Sequence, residues 1–87
     1  MTPETIKVTV LFFGAAAELT RKRDEEITLP AGTSAQNAKT DILAAHPLLG
    51  ERYGNNLLFS VNREYARGDE ILATGDELAF FPPVSGG

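Results

Sequence analysis

The two most apolar strand-like runs of this sequence lie at its opposite ends. IKVTVLFF (6–13) is β-branched and aromatic, alternates in polarity, and stops at Gly14. ELAFF (77–81) follows a Gly75-Asp76 turn signal. The most apolar strands are expected at the centre of a sheet, so these two should be neighbours. No turn joins them directly, which permits parallel pairing and requires the rest of the chain to cross over. In 87 residues that leaves one domain with one core.

Between these runs the pattern predicts five further elements. A short helix from Ala15 to about Lys22 precedes a strand, EEITLP (25–30), closed by Pro30 and Gly32. A main helix is expected from about Ser34 to Ala45, N-capped by Thr33 or Ser34 and ended at His46 by Pro47. Its small apolar stripe, Ala35, Ala38, Ile42 and Ala45, should lie close to whatever it packs on. LLFSVN (57–62) reads as a third strand, and a turn near Arg63-Glu64 leads to an edge segment around Tyr65-Ala66. Strand, strand, helix, strand, strand makes an α+β domain with a mixed sheet of four to five strands, one main helix and a short second helix. This is the β-grasp arrangement, although the pattern also suits other small α+β sheets. The domain is expected over 1–81, with 82–87 as an extended tail.

Composition narrows the chemistry. There is no cysteine, one histidine and one methionine. That excludes a disulfide framework, thiolate metal sites and a cysteine nucleophile or persulfide. A net charge of −4 weighs against nucleic acid, whose binding rests on neutralising phosphates. No apolar run approaches bilayer-spanning length, and MTPETIK lacks a signal-peptide profile. A cytoplasmic protein without membrane or nucleic-acid partners is expected.

Most candidate sites have plainer explanations. His46, before a proline, suits a surface or capping role better than metal ligation, and no metal site is expected. Arg21-Lys22-Arg23 followed by Asp24-Glu25-Glu26 reads as a solvated loop of mixed charge. Asp69-Glu70 and Asp76-Glu77 beside glycines suit turns and lack calcium-loop spacing. Side-chain catalysis is not expected, since no residues are arranged as a triad or phosphate loop would require.

Two features remain. With a strand period of two, Ile6, Val8, Val10 and Phe12 share one face, while Leu11 and Phe13 fall on the other. Leu78 and Phe80 similarly oppose Ala79 and Phe81. Leu11, Phe13, Ala79 and Phe81 would thus form an outward apolar patch of the kind that marks a partner surface, unless the 15–22 segment covers it. The second feature is the end of the sequence, PPVSGG. Pro82 and Pro83 stiffen its base, Val84 and Ser85 continue it, and Gly86 and Gly87 have no side chain to clash in a narrow channel. Extended, it reaches roughly 20 Å.

LFFGAAAEL (11–19), VNREY (61–65) and above all GDELAFFPPVSGG (75–87) resemble the small, sulfur-carrying subunits of molybdopterin synthase, a ubiquitin-like family. The resemblance spans nearly the whole chain. It implies that an E1-like adenylyltransferase uses ATP to adenylate the carboxylate of Gly87, which a sulfur donor converts to a thiocarboxylate. The sulfur then passes to cyclic pyranopterin monophosphate in molybdenum cofactor biosynthesis. It further implies docking on a synthase large subunit through positions matching Phe13 and Phe81, in a heterotetramer of two small and two large subunits. Catalytic side chains would belong to the large subunit, and no cofactor would be bound here. The same tip also suits a ubiquitin-like modifier or a thiocarboxylate carrier for thiamin, cysteine or tRNA thiolation. A third reading is a β-grasp binding module with an idle tail.

Overall fold

The computed structural model describes residues 4–83. Five strands form one sheet: β1 (Thr5–Phe12), β2 (Asp24–Pro30), β3 (Leu58–Val61), β4 (Glu64–Tyr65) and β5 (Glu77–Phe81). Their spatial order is β2-β1-β5-β3-β4. The terminal runs are neighbours, as their hydrophobicity requires: β1 and β5 pair in parallel, with Val10 beside Leu78 and Phe12 beside Phe80. β2 pairs antiparallel with the other side of β1, and β3 antiparallel with β5. Pro30, with no N–H to donate, falls at the end of an edge strand, where it interrupts no central ladder.

The helices are α1 (Ala15–Thr20), α2 (Ala35–Ala45) and α3 (Pro47–Tyr53), followed by a 3-10 turn at Gly54–Asn56. Ser34 caps α2 by accepting a hydrogen bond from the Asn37 N–H at 3.2 Å. Ala35, Ala38 and Ile42 are buried as their spacing predicts, but Ala45 is exposed. The stripe stops there because the chain turns at His46 into α3, a helix the sequence reading does not anticipate. Pro47 explains both events: it disfavours helix at His46 and then starts the next helix from its own first turn. Leu49 of α3 is fully buried and continues the apolar surface that Ala45 leaves.

The core lies on one face of the sheet. Phe80 is sandwiched between Phe12 and Phe59, its register partners on β1 and β3, at ring-centroid distances of 6.0 and 4.9 Å. Offset aromatic stacking of this kind adds to the area each ring removes from water. Val8, Val10, Leu78 and Leu72 fill the same layer beneath the helices.

Several local readings need adjustment. The β3–β4 turn falls at Asn62-Arg63, one residue earlier than expected, and both residues take positive φ (51° and 70°). Such tight hairpin turns require positive φ at both central positions, and asparagine is among the side chains that best tolerate it. Asn62 also donates from Nδ2 to Asp76 Oδ1 (3.0 Å) and accepts the Glu77 N–H at Oδ1 (2.9 Å), tying the hairpin to the start of β5. The acidic half of the charge run belongs to β2, which starts at Asp24, one residue before the expected strand, so only its basic half is loop. Glu25 is partly buried there and is bonded to Lys22 Nζ at 3.0 Å and His46 Nε2 at 2.7 Å. Of the surface and capping roles expected of His46, the structure gives it the capping one: its backbone N–H closes α2 on Ile42, and its partly buried ring meets Phe12 edge-on at 5.3 Å. The acidic pairs near glycines do serve turns. Glu70 accepts the Arg67 and Gly68 N–H groups at 2.8 Å, and Asp76 accepts the Ala73 N–H at 2.8 Å.

Candidate functional site

The other face of the sheet carries the apolar patch. Register sets its rows. Leu11 on β1 stands beside Ala79 on β5, Ala79 opposite Ser60 on β3, and Ser60 opposite Tyr65 on β4. One level along, Phe81 stands opposite Leu58, and Phe13 follows the end of β1. The Phe13 N–H bonds to Phe80 O at 3.1 Å, continuing the β1–β5 ladder by one step. This places the rings of Phe13 and Phe81 in parallel stack, with centroids 5.2 Å apart and planes 15° from each other.

The α1 segment does not cover these rings. Ala16 of α1 points into the core and is fully buried, while Phe13 is 45% exposed. Exposing an aromatic ring beside another keeps apolar surface in water, which a partner surface would relieve. An open groove of about 650 Å³ runs across the patch, bounded by Phe81, Pro82, Leu58 and Tyr65. Its floor is made of the two smallest side chains in the row. Ala79 is only 5% exposed, so of the four expected patch residues it forms floor, while Leu11, Phe13 and Phe81 form relief.

Three residues of the groove escape sequence reasoning. Leu58 and Ser60 lie on the face opposite the alternating Leu57, Phe59 and Val61, where the signal is weak because only one of the two is apolar. Tyr65, 74% exposed, was legible only as part of an edge segment; its place in the row depends on register. At the rim, Arg63 Nε lies 3.8 Å from Glu77 Oε1, a long and exposed pairing of little energetic weight.

The tail leaves from the same end of the groove. Gly14, at φ 55°, lies directly against Pro82: a Cβ there would stand 3.4 Å from Pro82 Cγ. A bare Cα thus lets the proline ring settle at the end of β1. Pro82 is partly buried and Pro83 exposed. Val84, Ser85, Gly86 and Gly87, the remaining residues of the expected tail, lie outside the described residues.

Among the described residues no three His, Cys, Asp or Glu side chains gather as metal ligands would, and no helix is long and apolar enough to cross a membrane. Glu25, partly buried, sits on the far edge strand. Burial opposes its ionisation, but hydrogen bonds and charge from His46 and Lys22 outweigh this and hold its carboxyl below the usual range. It supports the fold and does not face the groove.

With this geometry in place, the likeness to known proteins is specific. Residues 10–87 match the ThiS family. The human molybdopterin synthase sulfur carrier subunit is 39% identical over 84 residues, covering 93% of this chain and 94% of the relative. The subunit of the same name from Caenorhabditis elegans is 38% identical over 84 residues, covering 94% and 99%. In structure the chain is similar to SAMP1 from Haloferax volcanii, with a TM-score of 0.81 and 32% identity over 93% of this chain and 99% of that one. Family match, relatives and ubiquitin-like sheet agree: the chain belongs to the ThiS family.

Proposed function

We propose that this chain is the sulfur-carrier subunit of a molybdopterin synthase. The observation that carries the proposal is the stacked, half-exposed pair Phe13–Phe81 at the root of the segment that ends in Gly86-Gly87. The exposed aromatic pair and Pro82, the first residue of the tail, adjoin on one side of the molecule.

The chemistry follows from the carboxyl end. A free α-carboxylate is ionised at neutral pH, with a pKa of about 3.5, and resists nucleophilic attack. An E1-like adenylyltransferase activates Gly87: the carboxylate attacks the α-phosphate of ATP, and pyrophosphate leaves. Sulfur supplied by a donor at the sulfide oxidation level then attacks the acyl carbon; the C–S bond forms as the C–O bond to AMP breaks, and loss of the sulfur-bound proton leaves a thiocarboxylate. Docked on the synthase large subunit, in an assembly of two small and two large chains, the tail delivers this sulfur to cyclic pyranopterin monophosphate. With no cysteine in the chain, the thiocarboxylate is the reversible sulfur carrier, because a methionine thioether does not transfer its sulfur. The large subunit supplies the catalytic side chains. This chain acts as a non-catalytic donor, binds no cofactor, and works in the cytoplasm.

The test is intact-mass measurement after incubation with the activating enzyme, ATP and a sulfur source. The expected product is heavier by the difference between sulfur and oxygen, with the change confined to the C-terminal peptide. An unchanged mass would overturn the proposal. The likeness to SAMP1 favours a second reading, in which the activated terminus is joined to other proteins. Recovery of lysine adducts, with no binding to a synthase large subunit, would support that reading instead.

A further inference from the structure

β2 is the outermost strand on its side of the sheet, and its register fixes what that edge offers. The Phe12 N–H donates to Arg23 O and the Ala31 N–H to Glu4 O, each at 2.9 Å, and both pairs continue the β1–β2 register. Backbone direction alternates along an antiparallel strand, so Glu25, Ile27 and Leu29 also bond toward β1. Asp24, Glu26 and Thr28 therefore direct three N–H and three C=O groups away from the sheet. Among the described residues no strand pairs with them. Such a row is a template for one more strand.

Side chains decide which strand fits. Asp24, Glu26 and Thr28 are exposed, while Glu25 and Ile27 are half-buried and Leu29 is buried on the core side. The outer face of the edge thus carries two carboxylates, two positions apart, and among the described residues neither has an ion-pair partner. Lys22 is bonded to Glu25, and Arg23, by the strand period, belongs with Glu25 on the opposite face from Asp24. Lys7 lies beyond the two carboxylates, beside Thr28. A second copy of β2 is a poor occupant, because it sets acidic side chains beside acidic ones; edge charges act against self-pairing in this way. What fits is an extended segment with Lys or Arg at two alternate positions, opposite Asp24 and Glu26. Its other face then carries an apolar residue beside Ile27, which packs at the margin of the core.

We propose that the β2 edge is a docking site for a basic extended segment of a partner protein, which joins the sheet as a sixth strand. The backbone of Asp24, Glu26 and Thr28 holds the segment, and the two carboxylates select its sequence. The site is an edge of the sheet and separate from the apolar face that carries Phe13 and Phe81. The inference stands whether or not the chain carries sulfur.

The experiment uses the full chain and a capped peptide, Gly-Thr-Val-Lys-Thr-Lys-Gly, whose lysines fall opposite Glu26 and Asp24 in antiparallel pairing. Amide chemical shifts and hydrogen exchange are followed by NMR at low salt. The peptide is expected to protect the Asp24, Glu26 and Thr28 N–H groups, with little change at Glu25, Ile27 and Leu29, which already bond to β1. Glutamate in place of both lysines should abolish binding, as should methylation of the two lysine backbone nitrogens. Asp24→Asn combined with Glu26→Gln leaves the backbone groups in place and should weaken binding about fivefold, as should high salt. Thermal melts establish that this variant is folded. No protection at the three edge N–H groups overturns the inference. Undiminished binding of the glutamate peptide, of the methylated peptide or by the folded double variant overturns it too.

Discussion

Phe13 and Phe81 come from opposite ends of the chain and stack with their ring centroids 5.2 Å apart. Their strands are parallel, so only the crossover through the helices brings the two together. The pair is half-exposed at the tail root, and each ring supports the other's orientation. Phe13→Ala is therefore expected to cost little folding stability, about 1 kcal/mol. Its cost to large-subunit binding is expected to be greater, about 2 kcal/mol or some thirtyfold in Kd, as for an aromatic anchor. Urea denaturation and calorimetry on the same preparations separate the two effects.

Phe80, one residue away on the opposite face, should behave in the reverse manner. It is fully buried between Phe12 and Phe59. Phe80→Ala is expected to destabilise by about 4 kcal/mol through lost burial and a residual cavity. That is a large share of the roughly 5–15 kcal/mol that holds a domain of this kind together. Equilibrium denaturation should show a much lower midpoint, and Phe80→Leu should recover more than half of the loss.

Asn62 combines a left-handed turn with two side-chain bonds that reach Asp76 and Glu77. Asn62→Gly keeps the turn and loses the bonds; Asn62→Ala loses both. The expected order of stability is wild type, glycine, alanine, with each step about 1 kcal/mol. Equal stability of the two variants would show that the side-chain bonds, and not the turn, account for the residue.

The Glu25–His46 contact predicts a pH dependence. Glu25 is held below its ordinary pKa of 4.5: burial opposes ionisation, and the bonds and charges of His46 and Lys22 more than compensate. A carboxylate with a depressed folded-state pKa contributes stability that is complete above its unfolded value. The contribution is lost as pH falls through the folded one. Denaturation midpoints should thus fall as the pH is lowered through the acid range below 4.5. In Glu25→Gln that part of the slope should disappear, with lower stability at neutral pH.

Deleting Gly87 should leave Tm unchanged, because the residue lies beyond the last core strand. The same deletion should abolish sulfur loading by the activating enzyme, as read by intact mass. Loading of the truncated chain at the wild-type rate would exclude Gly87 as the acceptor.

Much of this molecule is legible in local pattern. Alternation assigns Ile6, Val8, Val10 and Phe12 to the core and Phe13 to the opposite face, because side-chain direction in a strand depends only on its neighbours. Gly75-Asp76, Ser34 and Pro30 mark boundaries through their own backbone and side-chain chemistry. The absence of cysteine restricts any reversible sulfur carriage to the carboxyl end. Other features are relations between distant segments. His46 meets Glu25 across 21 positions of sequence, and Tyr65 and Leu11 join one row only through the register of four strands. α3 is short, and it is the burial of Leu49 and the packing of Tyr53 against the core that sustain the helix Pro47 starts. Ser60 reads as an ordinary polar position in a strand. The packing of β4 and β5 on either side of it makes its hydroxyl an unpaired one, because desolvation is a property of the assembled sheet.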